Sequence, residues 1–269
     1  MTEPFRWLSV PQWYLWEGGF LLIGRGTGVV PPHAHHAIQV VVAMEGQVAI
    51  CGEDEQWREG PGVVVRPDAV HSFDCCGALG AMFFVDPESS EGTWLHSSLE
   101  ADVAVLPEAP LRAPASALRT FVERPLEGME IGALIRHCIQ AVSPGAPPAP
   151  RMDPRVSKVL QQIHGADELR VSLDDAAALA FLSPDRFAHL FKEQMGLPFR
   201  KYLLWRKLTR AMVAIGAERT IADAAHAADF ADAAHLTRTF YQMVGMAPSA
   251  LMRGHFAEIP SPFSAIASQ

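Results

Sequence analysis

The sequence predicts an α+β chain: an antiparallel β-barrel with appended helices, then an all-α domain holding two helix–turn–helix motifs joined by a helix. Three observations carry this prediction. Residues 19–85 give short β-rich runs separated by turn residues, residues beyond 155 lose strand-like alternation and become rich in Ala and Leu, and a proline-rich segment separates the two. The boundaries follow as 1–142 for the first domain, 143–154 for a linker, 155–255 for the helical domain and 256–269 for a C-terminal tail. At 269 residues, with 49% apolar and 19% charged residues, the chain has the length and composition to bury substantial cores.

The strands come first. GFLLIG, AIQVVVAM, QVAICG, GVVVRP and GAMFFV recur roughly every ten residues, the spacing of a small antiparallel sandwich or barrel. Over 115–142 the period becomes helical, with Leu118, Phe121 and Val122 on one stripe and Ile131, Leu134, Ile135, Cys138 and Ile139 on another. Two such helices either cover the barrel or pair with a second subunit. The segment SPGAPPAPRMDP (143–154) then holds five prolines and a glycine. Proline lacks a backbone N–H and disfavours helix in the residue before it, so this is a semi-rigid linker.

The helical half repeats itself. LDDAAALAFLSPDRFAHLFKEQMG (173–196) matches IADAAHAADFADAAHLTRTFYQMVG (221–245), with Phe187, Phe191 and Gly196 aligned to Leu236, Phe240 and Gly245 and one extra residue in the second turn. In the first copy, Leu173 to Ala180 forms a helix. Ser183 then caps a second helix, Pro184 suits its first position, and Asp185 favours its positive end. Phe187, Leu190, Phe191 and Met195 make one apolar stripe, and Gly196 closes the helix in the left-handed conformation. The second copy uses Asp232 as cap, Leu236, Phe240 and Val244 as stripe and Gly245 as close, while 199–215 reads as a connecting helix.

The residues left off the stripes decide what such a pair of motifs can do. Asp185, Arg186, Ala188, His189 and Lys192 point outward on the first copy, and Ala233, Ala234, His235, Arg238 and Tyr241 on the second. Small residues allow approach to a groove floor, and a few donors and acceptors read base edges. Arg238 suits guanine, Asp185 suits cytosine N4, and Arg200, Lys201, Arg206, Lys207 and Arg210 suit phosphates. The net charge of −8 argues against a nucleic-acid partner until it is divided. Residues 155–255 hold 13 Lys and Arg against 10 Asp and Glu, whereas residues 1–154 hold 9 against 19.

Residues 155–253 resemble the DNA-binding domain of the AraC/XylS family of bacterial transcription regulators, most densely in FADAAHLTRTFYQMVGMAPSALMR (230–253). Phe230, Asp232, Leu236, Arg238, Phe240, Gly245 and Pro248 sit where the family pattern places them. Asp229 stands where that family has a turn glycine. Asp tolerates left-handed backbone better than most residues, so the turn is expected to survive. The resemblance implies DNA contacts from Asp185, Ala188, His189, Ala234, His235 and Arg238. It also implies double-stranded DNA, RNA polymerase and a small-molecule effector as partners, a homodimer, and a cytoplasmic location.

Many members of that family carry an N-terminal cupin-like sensor barrel. Residues 28–46 are similar to the first cupin motif through Gly28, His33, His35, position 39 and Gly46, with Gln39 where metal-binding cupins have glutamate. His71, in RPDAVHSF, resembles the ligand of the second motif. By alternation along one strand, His33, His35 and Gln39 share a face, and His36 turns away to packing or the surface. Besides a purely structural, hydrogen-bonded role for a single member of the set, His71 above all, three readings stay open. His33, His35, Gln39 and His71 line an effector pocket; they hold a divalent transition metal such as Zn²⁺, Fe²⁺, Ni²⁺ or Mn²⁺; or the barrel is a metal-dependent cupin enzyme fused to a helical interaction module. The regulator reading assigns no catalysis to the chain.

The four cysteines show no C-x-x-C spacing and fit reduced thiols, with Cys75 and Cys76 as strand residues. No apolar run reaches the roughly 20 residues of a membrane span. The N-terminus lacks the basic cluster and apolar core of a secretory signal.

Overall fold

Continuous apolar runs in the first half form strands buried on both faces. AIQVVVAM is one: seven of the eight residues from Ile38 to Glu45 are buried. The computed structural model describes residues 5–16, 18–123, 128–145, 152–165, 169–252 and 254–259. In chain order the strands are β1 (Arg6–Trp7), β2 (Gln12–Trp16), β3 (Gly19–Thr27), β4 (Val29–His33), β5 (Ile38–Glu45), β6 (Val48–Cys51), β7 (Trp57–Gly60), β8 (Gly62–Val65), β9 (His71–Asp74), β10 (Leu79–Val85), β11 (Val103–Val105) and β12 (His255–Glu258). One sheet runs β11-β8-β5-β10-β3-β2-β12 with β1 paired to β3, and a second runs β4-β9-β6-β7. All described pairings are antiparallel except β12 on β2, which is parallel.

The expected β-rich runs form β3, β5, β6, β8 and β10, and the strand expected at His71 is β9. The one expected to carry His33 to Gln39 is broken into β4 and β5; further strands among the described residues were not expected. Weak strand signals have physical reasons: β4 carries Pro31 and Pro32, β7 (WREG) is polar, and β11 has three residues. Helices α1 (Ser90–Ser97), α2 (Glu108–Glu123) and α3 (Gly128–Val142) follow the sheets. Leu118, Ile131, Leu134, Ile135, Cys138 and Ile139 join Leu21, Val40, Val42 and Phe83 in one core, so the apolar stripes of α2 and α3 are used to cover the sheet. The side chain of Phe121 lies outside the described residues. Cys75 and Cys76 follow β9 in a turn rather than lying in a strand, the first buried and the second exposed at φ 49°.

The chain divides into two compact units, residues 1–148 with 241–269, and residues 149–240. The helical unit contains α4 (Pro154–His164), α5 (Leu173–Leu179), α6 (Pro184–Met195), α7 (Phe199–Gly216), α8 (Ile221–Ala227) and the start of α9 (Ala233–Val244). Asp153 caps α4 by accepting from the Arg155 N–H, so the last two residues of the expected linker belong to a helix; 146–151 lie outside the described residues. Val156, Leu160, Phe187, Phe191, Phe199 and Tyr202 form its core.

The expected tail needs correction. His255–Glu258 pairs with Gln12–Leu15, and the Phe256 ring packs tilted against buried Trp13 with centroids 4.5 Å apart, so this stretch is a strand of the larger sheet. Residues 260–269 lie outside the described residues. Among the described residues, no helix is long and apolar enough to cross a membrane.

Candidate nucleic-acid interface and histidine cluster

The two copies of the repeat fold alike down to single backbone angles. In the first, the turn after α5 passes through Phe181 at φ 57°; in the second, the turn after α8 passes through Asp229 at φ 58°. At both, the next N–H reaches back to the preceding helix: Leu182 N donates to Ala177 O and Phe230 N to Ala225 O, each at 2.9 Å. Caps then start the second helices, with Ser183 Oγ accepting from Arg186 N at 3.5 Å and Asp232 Oδ1 from His235 N at 2.6 Å. Gly196 and Gly245 close them at φ 77° and 73°.

On α6 the stripe Phe187, Phe191 and Met195 is buried, which leaves Asp185, Arg186, His189 and Lys192 exposed and Ala188 half-buried. On α9, Leu236 and Phe240 are buried while Ala234 and Arg238 are exposed. His235 is only half exposed, its ring edge-on to Phe230 at 5.2 Å, so part of it serves packing. The sequence-derived positions therefore gather on the outward side of each second helix. Of the expected phosphate contacts, Arg200 and Lys201 are exposed at the start of α7, and Arg206 and Arg210 are half-buried. Lys207 is reassigned: its ammonium donates to Asp229 O at 2.8 Å, inside the domain.

Asp229 has more to do than tolerate a positive φ. Its carboxylate accepts from the Leu169 N–H and from Arg170 Nε, each at 3.0 Å. Burial opposes its ionisation, but these donors and the Lys207 ammonium outweigh that and hold the carboxyl below its usual range. Spacing alone does not signal this contact, because its partners lie 59 and 60 residues away.

In the other unit, His33, His35 and His71 converge, with one ring nitrogen from each within 4.8 Å of the others. The route differs from the one alternation implied. His33 ends β4, His35 lies in the irregular stretch between β4 and β5, and Gln39 is on β5, so no single strand presents them. His71 opens β9 and is the register partner of His33 across a bulge. Each Nδ1 lies against a backbone carbonyl two residues away: His33 to Pro31 at 2.9 Å, His35 to Ala37 at 2.8 Å, His71 to Ala69 at 3.0 Å.

Those carbonyls fix the tautomer, since only Nδ1–H can donate to them, and each Nε2 then carries a lone pair. Gln39 Oε1 lies 3.0 Å from the Nε2 atoms of both His35 and His71. Two lone pairs would repel that oxygen, so these tautomers require the amide turned end for end, with its NH₂ toward the rings. All four side chains are buried. Burial, followed by the neighbouring rings, lowers the His33 pKa to about 4 and that of His71 to about 2, and burial also lowers that of His35. Three neutral imidazoles braced at Nδ1, each with a lone pair at Nε2, make a nitrogen donor set for a borderline ion, with the rotatable amide now hydrogen-bonded to two of them as fourth donor.

His36 does turn away from this cluster, but not to the surface. It is buried, with Nε2 3.0 Å from Glu88 and Nδ1 3.6 Å from Asp68. Burial works against its charge, yet Glu88, Asp68 and Asp86 outweigh it and raise the pKa to about 10. A groove of about 1010 Å³ also lies in this unit, lined by Phe5, Trp7, Val10, Tyr241, Met246 and Met252 among others. Sequence reasoning missed it; of its lining residues, Leu8, Val10, Tyr241 and Met252 are large, apolar and exposed.

Residues 176–254 match a helix–turn–helix domain family. Over 109 residues the chain is 31% identical to the arabinose operon regulatory protein of Escherichia coli (strain K12), a match covering 39% of this chain and only 37% of that protein's length. The fold is similar to that of ToxT from Vibrio cholerae O395 (TM-score 0.55, 10% identity, 92% of this chain and 96% of that one). It is similar again to unsaturated fatty acid bound wild-type ToxT from Vibrio cholerae strain SCE256 (TM-score 0.54, 9% identity, covering 92% and 96%).

Proposed function

From the premise that its second half is an AraC-type helix–turn–helix domain, we propose that this chain is a sequence-specific DNA-binding transcription regulator whose sheet-rich unit senses an effector. One observation carries the reading: two copies of one motif, with matching turns and caps, each presenting an outward helix face that the core does not use. Asp185, Arg186, Ala188, His189 and Lys192 on α6, with Ala234, His235 and Arg238 on α9, are the base- and backbone-reading residues. Selection from a random duplex pool with the full-length protein tests it. Enrichment of a two-part sequence is the expected result; no enrichment at low salt overturns it.

For the effector, the closed histidine cluster favours an ion. Four buried polar side chains drawn together, with Gln39 hydrogen-bonded to both His35 and His71, match the donor set of a small ion better than the outline of an organic ligand or of a substrate for the alternative cupin enzyme. His33, His35 and His71 would hold the ion and Gln39 would turn its oxygen to it. Elemental analysis of untagged protein beside His35→Ala checks this: near one Zn²⁺, Fe²⁺, Ni²⁺ or Mn²⁺ per chain, lost in the variant, is expected. A metal-free wild type moves the sensing role to the apolar groove beside Phe5 and Trp7. That outcome is the one in which the fatty acid held by ToxT becomes the ligand class to screen. A homodimer acting with RNA polymerase in the cytoplasm completes the proposal; light scattering at micromolar concentration tests the dimer.

A further inference from the structure

Asp229 joins parts of the helical unit that are far apart in sequence. Its carboxylate holds the Leu169 N–H and Arg170, just ahead of the Ser172 cap that starts α5, and so grips the entry to the first helix–turn–helix. The backbone carbonyl of the same residue accepts from Lys207 on α7, the helix that connects the two motifs. Asp229 itself sits in the turn of the second motif. One residue thus touches the entry to the first motif, the connector and the turn of the second, and its side chain is 11% exposed. The backbone there needs only a positive φ, which glycine supplies more easily. The carboxylate is therefore surplus to the turn, and its two partners, Leu169 N–H and Arg170, account for it.

We propose that Asp229 is a positioning residue that fixes the separation of the two DNA-reading helices α6 and α9, and so the spacing between half-sequences that one chain accepts, without touching DNA itself. The inference rests on the DNA-binding reading above. Two reading heads held rigidly bind a two-part site as one ligand; loosened, they lose the gain of the second contact and tolerate other spacings.

The test is selection from a random duplex pool, run with full-length wild type, Asp229→Gly and Asp229→Asn. Glycine keeps the left-handed turn and the carbonyl bound by Lys207 while removing the carboxylate. The expected result is unchanged base preference within each half, a spread over neighbouring spacings, and about tenfold weaker binding to the wild-type duplex for Asp229→Gly. Asparagine, which still accepts from Leu169 N–H, falls between. A single retained spacing with binding within about twofold overturns the proposal, and so does a changed base preference, which would put Asp229 at the bases. If Asp229→Gly loses its circular-dichroism melt, Arg170→Ala takes its place: Arg170 is exposed, and wider spacing supports the clamp whereas unchanged spacing overturns it. A wild type that enriches no two-part sequence counts against the regulator reading instead.

Discussion

The two helix–turn–helix copies share a backbone but differ in what surrounds it. Phe181 and Asp229 occupy the same left-handed position, yet Phe181 is 85% exposed with Lys158 Nζ 4.9 Å from its ring centre, whereas Asp229 is clamped on three sides. Phe191 sits among Phe187, Phe199 and Tyr202 with ring centres 5.1 to 5.6 Å away. The outward face of α6 carries Asp185, Arg186, His189 and Lys192, while that of α9 carries small Ala233 and Ala234 with His235, Arg238 and Tyr241. The duplication preserved what the turn requires and changed what each copy meets, so equivalent substitutions should have unequal effects.

Truncating the central phenylalanines tests that most severely. Phe191→Ala and Phe240→Ala should each cost about 3–5 kcal/mol, Phe191 at the upper end because it leaves an aromatic cluster; urea unfolding of both measures the difference. Next come the closing glycines. A Cβ on Gly196 meets nothing within 4 Å, so Gly196→Ala should lose only about 1–2 kcal/mol of left-handed strain. On Gly245 a Cβ would stand 2.0 Å from Val30 Cγ1, adding about 1–3 kcal/mol of overpacking, and equal melting shifts would show that the site relaxes.

In DNA binding, Arg238→Ala should cost about 1–3 kcal/mol at one base position and relax preference there. Asp185→Ala should act at a different position in the other half-sequence. Uniform weakening across sequences would make Arg238 a phosphate contact. The smallest contrast is in the caps: removing Asp232, whose bond is 2.6 Å, should cost about 1 kcal/mol, and Ser183→Ala, whose bond is 3.5 Å, measurably less.

What the sequence made legible was local. Ser183, Asp232, Gly196 and Gly245 act within a few residues of themselves, so their roles could be read from spacing, and the left-handed Asp229 with them. The convergence of His33, His35 and His71 was legible as a set, but alternation put His33, His35 and Gln39 on one strand because it cannot see the chain leave the strand after His33. What escaped is long-range. His36 meets Glu88 from 52 residues away, Lys207 turns inward to Asp229, and β12 returns more than 240 residues later to β2. None of these partners leaves a periodic trace, since each is a single contact chosen by the folded topology.

The strand β12 carries a practical consequence for anyone dividing the chain. Residues 1–148 made alone would leave Gln12–Trp16 as a bare edge, with its ladder groups open and Trp13 stripped of Phe256. An uncovered apolar edge recruits the next strand it meets, so the isolated sensing half should self-associate, and a synthetic peptide spanning His255–Ile259 should suppress that association.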